Sequence, residues 1–273
     1  MMFTVLGAAG FIGSQLTEAL KNTGVGNVYA PLRQEGINLF DEVLERELGH
    51  VFYCIGLTAN FRNRPFDTVD AHVCLLRRLL ERGRFESLTY LSSTRIYEGA
   101  ATTHESAVLH VSPENTGHIY NISKLMGESL CLSSGLKTRV ARLSNVIGCV
   151  MPQQNFLSQV FKTASNTGQL DFLTAPSSAK DYVSITDVVR WLPQIALQGV
   201  HSIYNVASGK NTSNADIAAM LERKGVVVRF AAEAPLWSFP VIDTSRLAQE
   251  FGGAKSSLIC EFDNLFSCYS QTQ

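Results

Sequence analysis

The strongest constraint on the fold sits at the start of the chain. A short apolar run from Phe3 to Leu6 leads into Gly7-Ala8-Ala9-Gly10-Phe11-Ile12-Gly13, and Ile12, Leu16, Ala19 and Leu20 then share one face at helical spacing. Strand, glycine turn and helix in that order form the opening of a dinucleotide-binding unit. The three glycines allow a tight turn, a close approach of backbone to a pyrophosphate and close packing of helix on strand. No Gly-Lys-Ser/Thr follows, which excludes Walker-type phosphate binding. The G-x-x-G-x-x-G spacing also departs from the usual G-x-G-x-x-G, pointing to a particular branch of Rossmann enzymes.

Alternation of strand and helix continues along the chain. Val28 to Leu32 and Val51 to Ile55 read as strands, Val69 to Arg82 as a long helix, and Ser87 to Ser92 as a strand. A helix follows from Gly117 to Ser134 and a strand from Thr138 to Leu143. This pattern predicts an α/β fold: a Rossmann-like, doubly wound parallel sheet covered on both faces. Beyond Gly148 the alternation loosens into helices at Phe156 to Ala164 and Thr186 to Leu197, strands at Tyr182 to Ile185 and Ser202 to Val206, and a polar loop at Ser208 to Asn214. The expected division is a nucleotide-binding domain over 1–148, with returns of the chain near 180–209, and a small C-terminal substrate lobe built mostly from 149–273.

Composition narrows the function. Lys plus Arg number 23 against 24 Asp plus Glu in 273 residues, so no basic stripe is available to neutralise a row of phosphates, and nucleic acid is not an expected partner. Apolar runs are broken well before the ~18 residues of a bilayer span, and the first strand begins at once, so the expectation is a soluble cytoplasmic protein with no membrane partner. The six cysteines lack CxxC spacing, which disfavours structural zinc and a disulfide framework and suits a reducing compartment. The six histidines show no metal spacing.

Chemistry concentrates in two segments. Tyr120 and Lys124 lie four residues apart in Tyr120-Asn121-Ile122-Ser123-Lys124 and project from one helix face toward one substrate. A neighbouring ammonium in a dry cleft favours phenolate, so Lys124 is expected to lower the Tyr120 pKa and let the phenol exchange a proton with a hydroxyl or carbonyl. Tyr90-Leu91-Ser92-Ser93-Thr94-Arg95 sets hydroxyls where a parallel strand ends, and Ser93 is positioned to bond a reacting oxygen, while Ser92 and Thr94 suit turn closure and capping.

On the cofactor side, Gly7, Gly10, Phe11, Ile12 and Gly13 form the phosphate turn. Arg33 stands where a ribose-binding acid is usual. It suits a 2′-phosphate and equally an ordinary solvated arginine, and it tilts the reading of an NAD(P) cofactor toward NADP(H). Asn38, with Leu39 beside it, suits the adenine edge, or else a turn.

Together these motifs resemble the extended short-chain dehydrogenase/reductases, in particular the NAD(P)-dependent nucleotide-sugar epimerases, dehydratases and reductases. The likeness includes the Gly7-Gly10-Gly13 turn, Ser92 to Tyr97, Tyr120-x-x-x-Lys124, Arg142 to Gly148, Lys180 to Val188 and Tyr204 to Gly209. The resemblance implies Tyr120 as general acid/base, Lys124 as its pKa-lowering partner on the nicotinamide ribose and Ser93 on the substrate oxygen. It also implies Asn145, Asp181 and Tyr182 at the nucleotide-sugar, and Asp243 at the start of the last family helix, where a cap is expected.

Three departures qualify it. Glu98 stands where Tyr-Gly is usual, Tyr53-Cys54-Ile55-Gly56 replaces a small-residue wall beside the nicotinamide, and Thr94-Arg95 occupies the place of the dehydratases' Asp-Glu pair. Arg62, Arg64 and Arg95 are basic residues available for phosphates, with a solvated surface position as the alternative. The reading is hydride transfer at a sugar carbon, as a 4-epimerase or a 4-ketoreductase. The competing reading is a catalytically silent NAD(P)-sensing protein on the same fold. Helices beside Leu76 to Leu80 and Leu125-Met126 are candidates for a homodimer, and equally for packing on the sheet.

Overall fold

The computed structural model describes residues 1–32 and 39–270; Arg33, Asn38 and the Leu39 side chain lie outside the described residues. β1 (Met2–Leu6) runs into α1 (Phe11–Thr23), followed by β2 (Asn27–Tyr29), α2 (Leu39–Leu44) and β3 (His50–Tyr53). β2 stops short of the expected Leu32, two residues ahead of Pro31, which has no amide hydrogen for a ladder. α3 (Pro65–Val69) opens with proline in its first turn, widens into a π turn over Asp70–Cys74 and continues as α4 (Leu75–Arg82). The widened turn has a purpose in packing: its Ala71 and His72 carbonyls accept hydrogen bonds from Tyr53 Oη at 2.7 Å and Tyr90 Oη at 3.3 Å, both from strands beneath.

β4 (Ser87–Ser93), α5 (His118–Ser133) and β5 (Thr138–Leu143) follow, then β6 (Asn145–Ile147), α6 (Phe156–Thr167), β7 (Gln169–Phe172) and β8 (Ala179–Ser184). The chain closes with α7 (Ile185–Gln198), β9 (Ile203–Val206), β10 (Asn211–Ser213), α8 (Asn214–Glu222), β11 (Val227–Phe230), α9 (Ser245–Phe251) and α10 (Leu258–Ser270). The loop expected at 208–214 therefore contains a short strand, and Ser213 begins α8 with a reciprocal capping box to Asp216.

Six parallel strands form the central sheet in the order β2-β1-β3-β4-β5-β9. The chain moves outward from β1 to β2 and then crosses back to β3, so the order reverses beside β1 and a crevice opens past the carboxyl ends of β1 and β3. One face buries Leu16 and Leu20 of α1 with Val188, Trp191, Leu192 and Ile195 of α7 and Leu247 of α9. The other buries Val43 and Leu44 of α2, Leu76 and Leu79 of α4 and Cys131 of α5. Leu76 and Leu79 thus pack on the sheet, while Met126 on α5 stays half exposed.

A smaller lobe holds two further sheets, β10-β8-β6 and β11-β7. Its separate core joins Leu157 and Phe161 of α6, Ile217 and Leu221 of α8, and Phe262 and Leu265 of α10. α7 and β9 return to the main sheet layer, whereas β6 already pairs with β8 in the lobe. The structure also corrects the cysteine reading. Cys149 and Cys268 form a disulfide across 119 residues, with Cα atoms 5.5 Å apart. α10 folds back over α6 and brings the two thiols together, a proximity that no local spacing encodes; Cys54, Cys74, Cys131 and Cys260 are free.

Beneath the crevice, Glu128 and Arg142 form a buried ion pair at 2.7 Å, each almost wholly shielded from solvent. Replacing Arg142 with Met leaves the Glu128 carboxylate buried without its counter-ion, and the expected loss is about 3–5 kcal/mol of unfolding free energy. Urea unfolding measures it. The double variant Arg142→Met/Glu128→Leu should regain much of that loss.

Candidate active site

The crevice is a cleft of about 500 Å³ between the central sheet and the small lobe. Gly10, Phe11, Ile12 and Gly13 form one wall, Ser93, Arg95, Tyr120 and Lys124 another, and Asn145, Asn155, Lys180, Trp237 and Phe239 the lobe side.

The glycines divide into two kinds. Gly7 has φ +87°, and a Cβ there would lie 2.8 Å from the Cys54 carbonyl carbon, so strand β3 and the turn touch only because the side chain is absent. A Cβ on Gly13 would lie 2.2 Å from the Gly7 carbonyl oxygen, so helix and turn are in direct contact. Gly10 is different. A Cβ on it would meet only the Gly7 oxygen, at 3.3 Å, and its face otherwise opens toward the cleft. It caps α1 with no side-chain bond and no acid in the first turn, leaving the helix's leading amides and positive dipole end for an anion. A cradle of bare backbone, which a larger residue would fill, fits a pyrophosphate.

β4 ends in Ser93, whose Oγ accepts from Arg95 N at 3.2 Å and so caps the short 3₁₀ turn Thr94–Tyr97. α5 carries Tyr120, 6% exposed, with its ring 5.3 Å from Phe61 and edge-on to His72 at the same distance. Burial pushes the Tyr120 phenol above its ordinary range, and the Ser93 hydroxyl and Arg95 guanidinium pull it back. Lys124 lies one turn on, donating to the Leu91 carbonyl at 2.8 Å with Nζ 6.0 Å from the Tyr120 ring centre. Desolvation pushes its amine down to about 7, with Glu128 and Cys54 opposing. The sequence reading made Lys124 the group that lowers the phenol. In the cofactor-free geometry Ser93 and Arg95 pull that way, because the buried amine is itself poorly charged.

His72 braces this arrangement from behind. Its Nε2 accepts the Leu57 amide at 3.2 Å, so Nδ1 carries the proton and donates to Ser123 Oγ at 2.8 Å, which donates to the Tyr120 carbonyl at 3.0 Å. Burial and the charge of Lys124 hold the imidazole far below its usual pKa, hence neutral. Gly56 leaves room for both: a Cβ there would lie 3.3 Å from His72 Nε2 and 3.5 Å from Lys124 Nζ. Cys54, Ile55 and Gly56 of the unusual Tyr53-Cys54-Ile55-Gly56 stretch thus line the cleft, while Tyr53 is buried in the core beneath.

Other expected residues sort differently. Asn145 lines the cleft and donates to the Asp181 carbonyl at 2.8 Å. The Asp181 carboxylate is fully engaged, accepting from Ser144 Oγ, Ser208 N, Ser208 Oγ and Lys210 N, so it clamps loops. Tyr182 points into the lobe core beside Ile147 and Phe161, 4% exposed, away from the cleft. It alternates with Asp181 along β8, and the period of two sends it to the other face. Asp243 lies one position ahead of the N-cap of α9, Thr244, whose side chain makes no capping bond, and its Oδ1 accepts from Ser245 N at 2.9 Å. Arg64 pairs with Asp67 at the surface. Asn155, Trp237 and Phe239 were not singled out from sequence; two aromatics between Pro235 and Pro240 were the available signal.

The profile of the NAD dependent epimerase/dehydratase family matches residues 3–207. No curated protein matches the chain in sequence. Among solved structures, the chain is similar to TunA, an NAD dependent NDP-hexosamine 5,6-dehydratase involved in tunicamycin biosynthesis, with TM-score 0.83 and 20% identity over 100% of this chain and 99% of that one. MoeE5 in complex with UDP-glucuronic acid and NAD gives TM-score 0.83 and 21% identity over 100% of both chains. RMD from Pseudomonas aeruginosa complexed with NADPH gives 0.81 and 19% over 99% and 100%. At these identities the likeness is one of fold, the extended short-chain dehydrogenase/reductase architecture. With the profile spanning three-quarters of its length, the chain belongs to the NAD dependent epimerase/dehydratase family.

Proposed function

We propose that the protein oxidises or reduces a ring carbon of a nucleotide-activated sugar, as a 4-epimerase or a 4-ketoreductase, with Tyr120 carrying the proton. The observation that supports this best is the convergence of Ser93, Tyr120 and Lys124 with the uncapped glycine turn in one cleft. Nucleotide-sugars are also what similar structures hold, among them UDP-glucuronic acid.

A pyridine nucleotide held at the Gly10–Gly13 turn would supply the hydride chemistry at the sugar carbon. Tyr120 Oη donates to a ketone or withdraws from a hydroxyl, and Ser93 Oγ steadies the same oxygen. Lys124, near its midpoint at neutral pH, carries charge to the ribose side and favours phenolate when protonated. Gly10 through Gly13 receive the pyrophosphate. The lean toward NADP(H) rests on Arg33 alone. Elimination is disfavoured: the one carboxylate lining the cleft among the described residues is Asp181, whose oxygens are engaged.

Tyr120→Phe should lower turnover of nucleotide-sugars by roughly 100-fold or more while leaving NAD(P)H affinity nearly unchanged. A wild-type protein that binds the cofactor and turns over no nucleotide-sugar favours the sensing alternative. Mass spectrometry of nucleotide released on denaturation separates the two reactions, retained NAD⁺ indicating an epimerase.

Gly10→Ala adds a methyl that meets one atom, the Gly7 carbonyl oxygen, at a tight 3.3 Å. Its urea midpoint should fall only slightly, while NADH and NADPH fluorescence titrations show about tenfold weaker binding, from a methyl in the pyrophosphate cradle.

Lys124 titrates at about 7 in the folded cofactor-free protein. An unfolded lysine titrates near 10.4, so the unfolded chain binds more protons between those values and this residue makes stability rise from pH 7 to 10. Below pH 7 its burial penalty is complete. Cofactor-free Lys124→Met should therefore exceed wild type in stability by on the order of 3 kcal/mol at pH 6, and by much less at pH 9, in urea titrations.

A further inference from the structure

Besides Lys124, two cations line the cleft, and neither is neutralised by a hydrogen-bonded carboxylate among the described residues. Lys180 Nζ rests 4.5 Å from the Phe156 ring centre and 4.6 Å from that of Trp237. Arg95 lies with its guanidinium carbon 5.1 Å from the Phe61 ring centre and 5.8 Å from that of Tyr120. The Arg95 Nε is buried and lacks a hydrogen-bond partner, with Glu98, a surface carboxylate, 3.9 Å away, beyond hydrogen-bond reach. Both side chains are pushed below their ordinary pKa by desolvation, and the charge of Arg95 adds to the effect on Lys180. Two mutually repelling cations on aromatic supports make a site with an excess of positive charge.

A nucleotide-sugar brings its anionic charge as one group, a diphosphate carrying two negative charges. The lobe-side Lys180, a compact point charge among Phe156, Trp237 and Asn155, suits it. Arg95 lies beside the reacting groups. It follows Ser93 by two residues, binds the Ser93 hydroxyl through its backbone amide and stacks on the phenol that exchanges the proton. A sugar carbon whose oxygen meets Tyr120 and Ser93 therefore presents its neighbouring ring substituent to the guanidinium. A planar fork of donors there matches a carboxylate in two parallel hydrogen bonds.

We propose that Arg95 is a specificity-determining residue that receives a carboxylate on the ring carbon next to the reacting one, so that the substrates are nucleoside-diphosphate hexuronates in preference to neutral hexoses. Reaction at C4 places that carboxylate on C5. The inference rests on the proposed reaction for its account of which carbon reacts. A neutral hydroxymethyl group at that point leaves Nε desolvated and unanswered, which is the source of the discrimination.

The test compares wild type, Arg95→Met and Arg95→Lys on four probes: UDP-glucuronate, UDP-glucose and their dTDP counterparts. Turnover is measured with each, and binding to the cofactor-loaded protein by calorimetry. Wild type should favour the hexuronate of a pair by at least tenfold in kcat/KM and in affinity. Arg95→Met should reduce that ratio by roughly 10- to 100-fold, chiefly through KM, and Arg95→Lys should restore part of it. A ratio that stays constant while both sugars weaken together assigns Arg95 to the diphosphate or to the fold and overturns the proposal. So does a wild-type preference for the neutral sugar. Discrimination in binding without turnover of any probe upholds the carboxylate site and overturns the proposed reaction; turnover without discrimination does the reverse. Thermal melting of each variant establishes that it is folded.

Discussion

The buried pair of Glu128 and Arg142 is the interaction on which the catalytic side of the molecule rests. Two charges removed from water are stable when their donors and acceptors are met, and here each side chain has several partners. Glu128 takes Ser92 Oγ at 2.5 Å and the guanidinium through both oxygens; Arg142 Nη1 also donates to Tyr97 Oη at 2.7 Å and the Glu105 carbonyl at 3.1 Å. Tyr97 passes the chain on to Asn205 Oδ1 at 2.8 Å, whose amide holds the Thr103 and Asp243 carbonyls. A single network therefore joins β4, α5, β5, β9 and the segment ahead of α9. Because Ser92 adjoins Ser93 and Glu128 lies one turn beyond Lys124, that network sets the spacing of the residues facing the cleft.

Much of this was legible in the sequence, for a physical reason. β5 falls at Thr138–Leu143 as expected, and β4 and α5 lie within a residue of their expected ends, because strands buried on both faces and a helix of several turns each carry a long hydrophobic signal. The glycine turn was legible because its spacing answers a steric demand, seen in the 2.2 Å clash that a Gly13 methyl would make. Tyr120 and Lys124 were legible because four residues on a helix mean one face.

What escaped was created by the tertiary fold. β7, β11, α8 and α10 are short or mildly amphipathic, and their core exists only once the chain has returned to it several times. The Cys149–Cys268 bond joins ends that sequence spacing leaves unrelated. Asp181 and Tyr182 were read together as substrate residues, yet neighbours on a strand point opposite ways, one into a loop clamp and the other into the lobe core. Arg95 was read with Arg62 and Arg64 as a cation for a phosphate or for the solvated surface; its stacking against Phe61 and Tyr120 sets it apart from Arg64, which stays with Asp67 in solvent.

The same loss of water acts on Tyr120 and Lys124 in opposite directions. It raises the phenol and lowers the amine, so both groups are driven toward their neutral forms when the cleft holds only the protein. The ionised pair, phenolate beside ammonium, is thus the minority state of the empty cleft, and the proton rests on the phenol. Whatever shifts it must add local negative charge near the amine or polar partners near the phenol, and Ser93 and Arg95 already supply the second. Among the described residues the first comes from Glu128, which lies one turn away and is committed to Arg142, and to a lesser degree from Cys54. Priming of the phenol consequently belongs to the occupied site, and the chain contributes to it by keeping a lysine near its midpoint one turn from the phenol.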